Sequence, residues 1–274
     1  MKQEEIKKMV RERYASVARE GGSCFSPASS CCTSATLAED ISRRIGYGDE
    51  ELTCVPEGAN LGLGCGNPLA LASLKEGEIV LDLGSGAGFD CFLAAKRVGK
   101  EGKVIGVDMT PDMIDRARNN ARKGNYANVE FRLGEIENIP AADNSVDIVI
   151  SNCVINLAPD KIGVFKEAFR VLKPGGRLMV SDIVLLKELP DFVRDSIEAY
   201  TGCVAGATKK DEYLNTIKNV GFKEVQVLDE TNYPLDFLEN DPIGKQVVEK
   251  LNMPIENMKE IGKSVVSIKV QAKK

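Results

Sequence analysis

From residue 79 onward the chain alternates short apolar runs with segments whose apolar residues recur at helical spacing. The runs at 79–84, 103–108, 129–133, 146–151 and 176–183 read as strands, and the segments near 89–98, 111–123 and 160–172 read as helices. Such alternation predicts an α/β fold, a mostly parallel sheet with helices on both faces that binds ligands at the carboxyl ends of its strands. Farther on, 211–220 reads as a helix, and 224–228 and 264–271 as two more strands. Ahead of the core, Ile6, Met9, Val10, Tyr14 and Val17 share one face of a helix over 1–20, and Leu37, Ile41 and Ile45 share a face of a second, with Ser34 as its N-cap. The intervening loops, 21–32 and 57–68, are rich in glycine, serine and cysteine, which predicts pliable connections or a ligand-gripping wrap. Three parts follow: a cysteine-bearing helical and loop wrap (1–77), a core (78–184), and an insertion with the strands that complete the sheet (185–274). No internal repeat or low-complexity segment interrupts this order.

The first strand breaks into Asp82-Leu83-Gly84-Ser85-Gly86-Ala87-Gly88 and then opens a helix. Glycines permit positive φ and close backbone approach, and the loop's free N–H groups sit at the positive end of the helix dipole, so the loop is built to hold a polar ligand. A dinucleotide fingerprint would place a third glycine where Phe89 stands. Asp108 ends the next strand, where its carboxylate can accept both hydroxyls of a ribose. The ligand expected is a ribose-bearing molecule without a pyrophosphate.

Composition narrows the partner. The 274 residues carry a net charge of −5 without a Lys/Arg cluster, which favours a small-molecule substrate over nucleic acid. No apolar run approaches the roughly 18 residues of a membrane span, and the N-terminus is charged from its start, so a soluble cytoplasmic protein is expected. In that compartment the eight cysteines are reduced thiols. Histidine is absent, which removes both the imidazole base and the mixed Cys/His zinc site. Cys91 continues an apolar helix face and, like Cys54, reads as a small buried hydrophobe; Cys65 and Cys203 lie in glycine-flanked loops, which offer little core to be buried in.

The loop at Gly84–Gly88, the segment Gly106-Val107-Asp108-Met109 and the later Leu172-Lys173-Pro174-Gly175-Gly176 resemble the class I S-adenosylmethionine-dependent methyltransferases, whose Rossmann-like sheet has seven strands. The resemblance implies that Asp82 faces the cofactor's ammonium and that Gly84, Ser85, Gly86 and Gly88 pass beneath its carboxypropyl chain. Asp108 then takes the ribose hydroxyls, with Met109 against the adenine. Gly134-Glu135-Ile136 resembles the family's acidic adenine-edge motif, which implies that Glu135 accepts from the exocyclic amine while the Ile136 N–H serves a ring nitrogen. Asn152, ending the fourth strand, joins the cofactor set.

Asn152-Cys153-Val154-Ile155-Asn156-Leu157, with Gly64-Cys65-Gly66 and Thr201-Gly202-Cys203-Val204-Ala205-Gly206, resembles the arsenite methyltransferases. In that family three cysteines bind trivalent arsenic and a further N-terminal one takes part in thiol–disulfide chemistry. Carried over, Cys65, Cys153 and Cys203 hold the arsenic, and Cys32, or its neighbour Cys31, is the fourth; the extra Cys24 leaves that role open. Soft thiolates suit soft arsenic. The implied reaction moves methyl groups from S-adenosylmethionine to thiol-bound arsenite and methylarsenite, with a thioredoxin-type or small-thiol reductant. Two alternatives stay open, a quinone or other small-molecule carbon methyltransferase and a thiol-based metal sensor.

Overall fold

Valine, isoleucine and leucine crowd the short apolar runs, and in the computed structural model, which describes residues 3–20, 33–68, 73–232 and 262–274, these runs pair into a seven-stranded sheet. The strands are β1 (Ile79–Leu83), β2 (Lys103–Asp108), β3 (Val129–Leu133), β4 (Val146–Asn152), β5 (Leu172–Leu185), β6 (Lys223–Asn232) and β7 (Val265–Lys273). Their order is β3-β2-β1-β4-β5-β7-β6, parallel except for β7, which runs antiparallel to both neighbours. The helices are α1 (Gln3–Glu20), α2 (Thr33–Arg44), α3 (Asp49–Thr53), α4 (Phe89–Val98), α5 (Pro111–Lys123), α6 (Lys161–Val171), α7 (Asp191–Arg194), α8 (Ile197–Thr201) and α9 (Lys210–Val220).

Side chains alternate across each strand, so the central sheet feeds two cores. Val80, Val104, Ile148 and Ile150 pack with α4 and α5 on one face; Leu81, Leu83, Val149 and Val180 pack with α6 and α9 on the other. The chain runs outward from β1 through β2 to β3, then returns to β4 on the opposite side of β1. The loops after β1 and β4 therefore leave in different directions and open a crevice over their carboxyl ends, as expected at a topological switch point.

The helix α1 crosses this crevice and is tied down by charge. Lys7 Nζ lies 2.7 Å from Glu135 and 3.2 Å from Glu137, Arg11 lies 3.4 Å from Glu135, and Arg19 lies 3.0 Å from Asp112. Burial pulls the Lys7 ammonium down, but the hydrogen bonds and charges of the two glutamates outweigh it and hold Lys7 above its ordinary range.

Several boundaries differ from the sequence expectation. The fifth strand begins at Leu172 rather than 176, because the pairing skips from Val146/Leu172 to Ile148/Arg177 and accommodates Pro174-Gly175-Gly176 as an irregularity, with Gly175 at φ +80. The edge strand β6 continues through charged residues to Asn232, which an apolar-run criterion misses and an exposed edge tolerates. Helices α3, α7 and α8 are one turn or so long, too short for periodicity to mark. The second helix starts at Thr33, one residue ahead of the Ser34 expected as its cap.

Phe92 is fully buried, with ring centroids 4.6 Å from Tyr126 and 5.8 Å from Phe131, and it joins α4 to the sheet just behind the glycine loop. Phe92→Ala is expected to destabilise the chain by about 3–5 kcal/mol through the lost burial and the cavity left behind, read as a lowered urea midpoint with an unchanged slope.

Candidate active site

The loop after β1 turns under the crevice with Gly84, Gly86 and Gly88 all at positive φ. A Cβ on Gly86 would meet nothing within 4 Å, whereas one on Gly88 would meet Phe131 and Phe92 at 2.7 Å. Gly86 is thus the open face of the loop, and Gly88 is needed for packing against the aromatic pair and stays out of the crevice wall. Asp82, Gly84, Ser85, Gly86, Asp108 and Met109 all line the crevice. Asp108 is fixed by two backbone donors, Gly86 N–H at 3.0 Å and Thr110 N–H at 2.8 Å, and an ionised carboxylate retains further acceptor sites beyond these. Ser85 Oγ is buried with no hydrogen-bond partner among the described residues.

Glu135 is placed differently from the expectation. Its carboxylate turns to Lys7 and Arg11 of α1, and the crevice is lined instead by Ile136 and Glu137. Two cations on the adjoining helix compete for the acceptor that an adenine amine would need.

Two further carboxylates sit below the crevice. Asp82 accepts from Cys91 Sγ at 3.2 Å, and burial, followed by the charge of Asp90, holds it well above the usual carboxylate range. Cys91 is fully buried, as expected, but its thiol is spent on Asp82 rather than on apolar packing alone. Asp90 accepts from Tyr47 Oη at 2.6 Å and Asn152 Nδ2 at 3.1 Å; burial pushes it up to about 6 against the pull of those two bonds. Asp90 and Tyr47 were invisible to motif reading, since Asp90 looks like an ordinary first-turn acid of α4.

The wrap expected to be pliable at 57–68 is pinned to the sheet. Asn152 Oδ1 accepts the Cys65 N–H at 3.1 Å while its Nδ2 donates to the Gly66 carbonyl at 2.8 Å and to Tyr47 Oη at 2.9 Å. Ser267 Oγ of β7 donates to the Cys65 carbonyl at 2.9 Å. A Cβ on Gly64 would come within 2.6 Å of Asn152 Nδ2, and one on Gly66 within 2.0 Å of Ser181 Oγ. The Gly-Cys-Gly spelling is what lets Cys65 reach the end of the sheet.

There it meets two more thiols. Cys65, Cys153 and Cys203 are each at least nine-tenths buried and share one apolar cluster. Cys203 Sγ donates to the Cys153 carbonyl at 2.9 Å, Cys65 Sγ donates to the Ser181 carbonyl at 3.6 Å, and the Cys65 and Cys153 sulfurs lie within 4.8 Å of each other. The neighbouring thiols, Cys203 first, and then burial push the Cys153 thiol well up; burial pushes the Cys65 thiol up as well. Of the three, Cys153 also lines the crevice. Cys153 and Cys203 are held at φ +57 and +65, a left-handed conformation that non-glycine residues rarely adopt and that costs on the order of 1–3 kcal/mol each. Strain of this kind persists where surrounding structure over-determines it. Cys54 lies apart and half-buried, and Cys24, Cys31 and Cys32 fall outside the described residues.

Asp182 joins the cluster. One of its carboxylate oxygens and the sulfurs of Cys65 and Cys153 all lie within 4.8 Å of one another. It is fully buried, accepts from Asn156 Nδ2 (2.8 Å), the Ile183 N–H (2.9 Å) and Tyr213 Oη (3.1 Å), and is pushed up to about 7 by burial. A charge inside the apolar run from Leu178 to Leu185 is a signal that the sequence did carry. Asp160, the other acid near this loop, caps α6 by accepting the Gly163 N–H at 2.9 Å.

A family model described as a methyltransferase domain matches residues 74–221. The chain is 49% identical over 255 residues to an arsenite methyltransferase of Halobacterium salinarum, a match that covers 89% of this chain and 65% of that protein. It is 40% identical over 168 residues to an arsenite methyltransferase of Homo sapiens, covering 58% of this chain and 44% of that one. The chain therefore spans less than two thirds of the length of these relatives. The crystal structure of an arsenic(III) S-adenosylmethionine methyltransferase from Chlamydomonas reinhardtii superposes with a TM-score of 0.63 at 34% identity, over 85% of this chain and 73% of that one. The chain belongs to the methyltransferase-domain family and, within it, to the arsenic(III) S-adenosylmethionine methyltransferases.

Proposed function

We propose that this chain transfers methyl groups to trivalent arsenic held by Cys65, Cys153 and Cys203. The observation that carries the reading is three buried thiols in one cluster, the Cys65 and Cys153 sulfurs within 4.8 Å of each other and the Cys203 thiol on the Cys153 carbonyl, at the edge of a crevice whose loops suit S-adenosylmethionine. The donor residues fit that molecule: Ser85 Oγ is buried and unpartnered, Gly86 is open to the crevice, and Asp108 has acceptor capacity to spare. Asp82 and Asp90 lie beneath the cationic end, Asp108 takes the ribose, and Met109 and Ile136 flank the adenine. S-adenosylmethionine supplies the methyl group.

The protonation of the thiols suits arsenic chemistry. The raised Cys65 and Cys153 values hold these thiols in their neutral form, which is the form arsenic loading uses. Arsenic trihydroxide condenses with three neutral thiols to give three As–S bonds and three waters, with no net proton released. Burial then costs little charge. Each methyl transfer uses the arsenic lone pair and raises arsenic from the trivalent to the pentavalent state. Two thiols must return two electrons as a disulfide, which is the role proposed for Cys32 with a thioredoxin-type or small-thiol reductant in a cytoplasmic setting. In this division of labour 1–77 carries the wrap, 78–184 the cofactor loops, and 185–274 the third thiol. Among the described residues no helix is long and apolar enough to cross a membrane.

Incubating the chain with arsenite, S-adenosylmethionine and a thiol, then speciating the arsenic, is the direct test; absence of methylated arsenic overturns the reading. Asp108→Ala is expected to weaken S-adenosylmethionine binding by roughly 2–4 kcal/mol while leaving As(III) binding intact, measured by titrating each ligand. Serine at Cys153 or Cys203 should abolish transfer to both arsenite and methylarsenite. Serine at Cys65 should spare methylarsenite, which has one fewer position for sulfur. A pH dependence follows from the buried acids. As pH falls through about 6, Asp90 takes up its proton and the crevice loses negative charge, so affinity for cationic S-adenosylmethionine should drop more steeply than affinity for S-adenosylhomocysteine, which lacks the sulfonium. Calorimetry with both ligands on either side of that value reads the difference.

A further inference from the structure

Asp182 has no part in holding arsenic or the methyl donor as described so far, yet it is a fully buried carboxylate beside two of the three arsenic thiols. Its hydrogen-bond donors are all neutral: an amide, a backbone N–H and a phenol. It makes no ion pair among the described residues. Lys161 at the start of α6 is half-buried and directs its ammonium at the Asn156 and Ala158 carbonyls, at 3.5 and 3.2 Å. Its charge still acts on Asp182 through space. The other groups facing Asp182 are Tyr213 from α9 and the thiols of Cys65 and Cys153. A buried carboxylate without a counter-ion is costly, which is why burial pushes Asp182 up to about 7, and a positive charge appearing next to it favours its ionised form.

The proposed reaction creates such a charge. The arsenic lone pair forms the new As–C bond as the C–S bond of the sulfonium breaks, and the electron pair of that bond stays on sulfur. Positive charge leaves sulfur and arrives on arsenic, and no proton moves. Asp82 and Asp90 lie on the side the charge departs from; Asp182 lies on the side where it arrives, fixed by three hydrogen bonds before the reaction begins.

We propose that Asp182 is the preorganised counter-charge for the cation that develops on arsenic during methyl transfer, an inference that rests on the arsenic reading above. Preorganised charge aimed at where charge develops lowers the barrier because it need not reorganise as the reaction proceeds. A neutral, As(III)-loaded thiol site gains little from Asp182, so binding and transfer should separate.

The test uses the full chain and its isosteric variant Asp182→Asn, which retains the size of the side chain and an oxygen for the Asn156 and Ile183 donors. Affinities for As(III) and for S-adenosylmethionine are expected to match the unsubstituted chain within about threefold, while the single-turnover rate of methyl transfer from the fully loaded protein falls at least about tenfold. Tyr213→Phe removes one hydrogen bond from the same carboxylate but leaves its charge, and should transfer within about threefold of the unsubstituted chain. An Asp182→Asn rate equal to that of the unsubstituted chain overturns the proposal. So does a loss of As(III) affinity as large as the loss of rate, or a Tyr213→Phe variant as slow as Asp182→Asn, since either makes the role one of packing. If the unsubstituted chain yields no methylated arsenic, the arsenic reading itself falls, a result distinct from the other three.

Discussion

The carboxamide of Asn152 is the joint on which this site depends. It ends β4, yet its two ends grip both sides of the Gly64-Cys65-Gly66 turn, and its amide also reaches Tyr47 and Asp90. A carboxamide suits this place because it offers donors and an acceptor with no charge to bury. Through it the position of Cys65, from the N-terminal part of the chain, is set by the same strand that delivers Cys153 one residue later. Asn152 also lines the crevice, but its polar atoms are already committed to protein partners, which makes it first a clamp on the thiol loop.

Around that joint the fold spends conformational freedom to bring sulfur together. Cys153 and Cys203 sit in left-handed backbone, a place where glycine would be at ease and a thiol is not. Gly206 allows the loop after Cys203 to pass so near the Asn156 carbonyl that a Cβ would lie 2.1 Å from it. The constraints are convergent: three chain segments distant in sequence each give up a side chain or a comfortable torsion at the point where they meet. Such local concessions are expected at functional sites and are hard to account for as packing alone.

What could be read in advance divides along physical lines. The core strands and helices were legible because burial on both faces writes long apolar runs, and the glycine loop because a sharp strand-to-helix turn needs glycine. Cys65 and Cys203 stood out through glycine neighbours and resemblance, and Cys153 through its place at a strand end and resemblance. Asp90 and Tyr47 did not, since each reads as an ordinary residue in its own segment and acquires its role only from a partner 43 residues away, whereas Asp182 was visible as a charge inside an apolar strand but its partner Tyr213, 31 residues on, was not. The docking of the 57–68 loop on the sheet was likewise hidden. Glycine content predicts pliability in isolation, whereas here the missing Cβ atoms permit close docking, and docking removes the freedom.

The absence of histidine from the chain is then consistent with the site rather than a deficiency of it. A carbon or nitrogen acceptor sheds a proton when methylated and asks for a base near neutral pH. An arsenic lone pair sheds none, and its loading from the trihydroxide exchanges neutral thiols for water. Under those conditions buried acids need not shuttle protons. What they can do is place carboxyl groups on either side of a migrating positive charge, and Asp82 with Asp90 beneath the crevice and Asp182 behind the thiols are disposed in that way. Burial holds all three carboxyls toward their neutral forms, so a cation arriving beside one is what favours its ionised form, and in that low-dielectric setting the resulting attraction is strong.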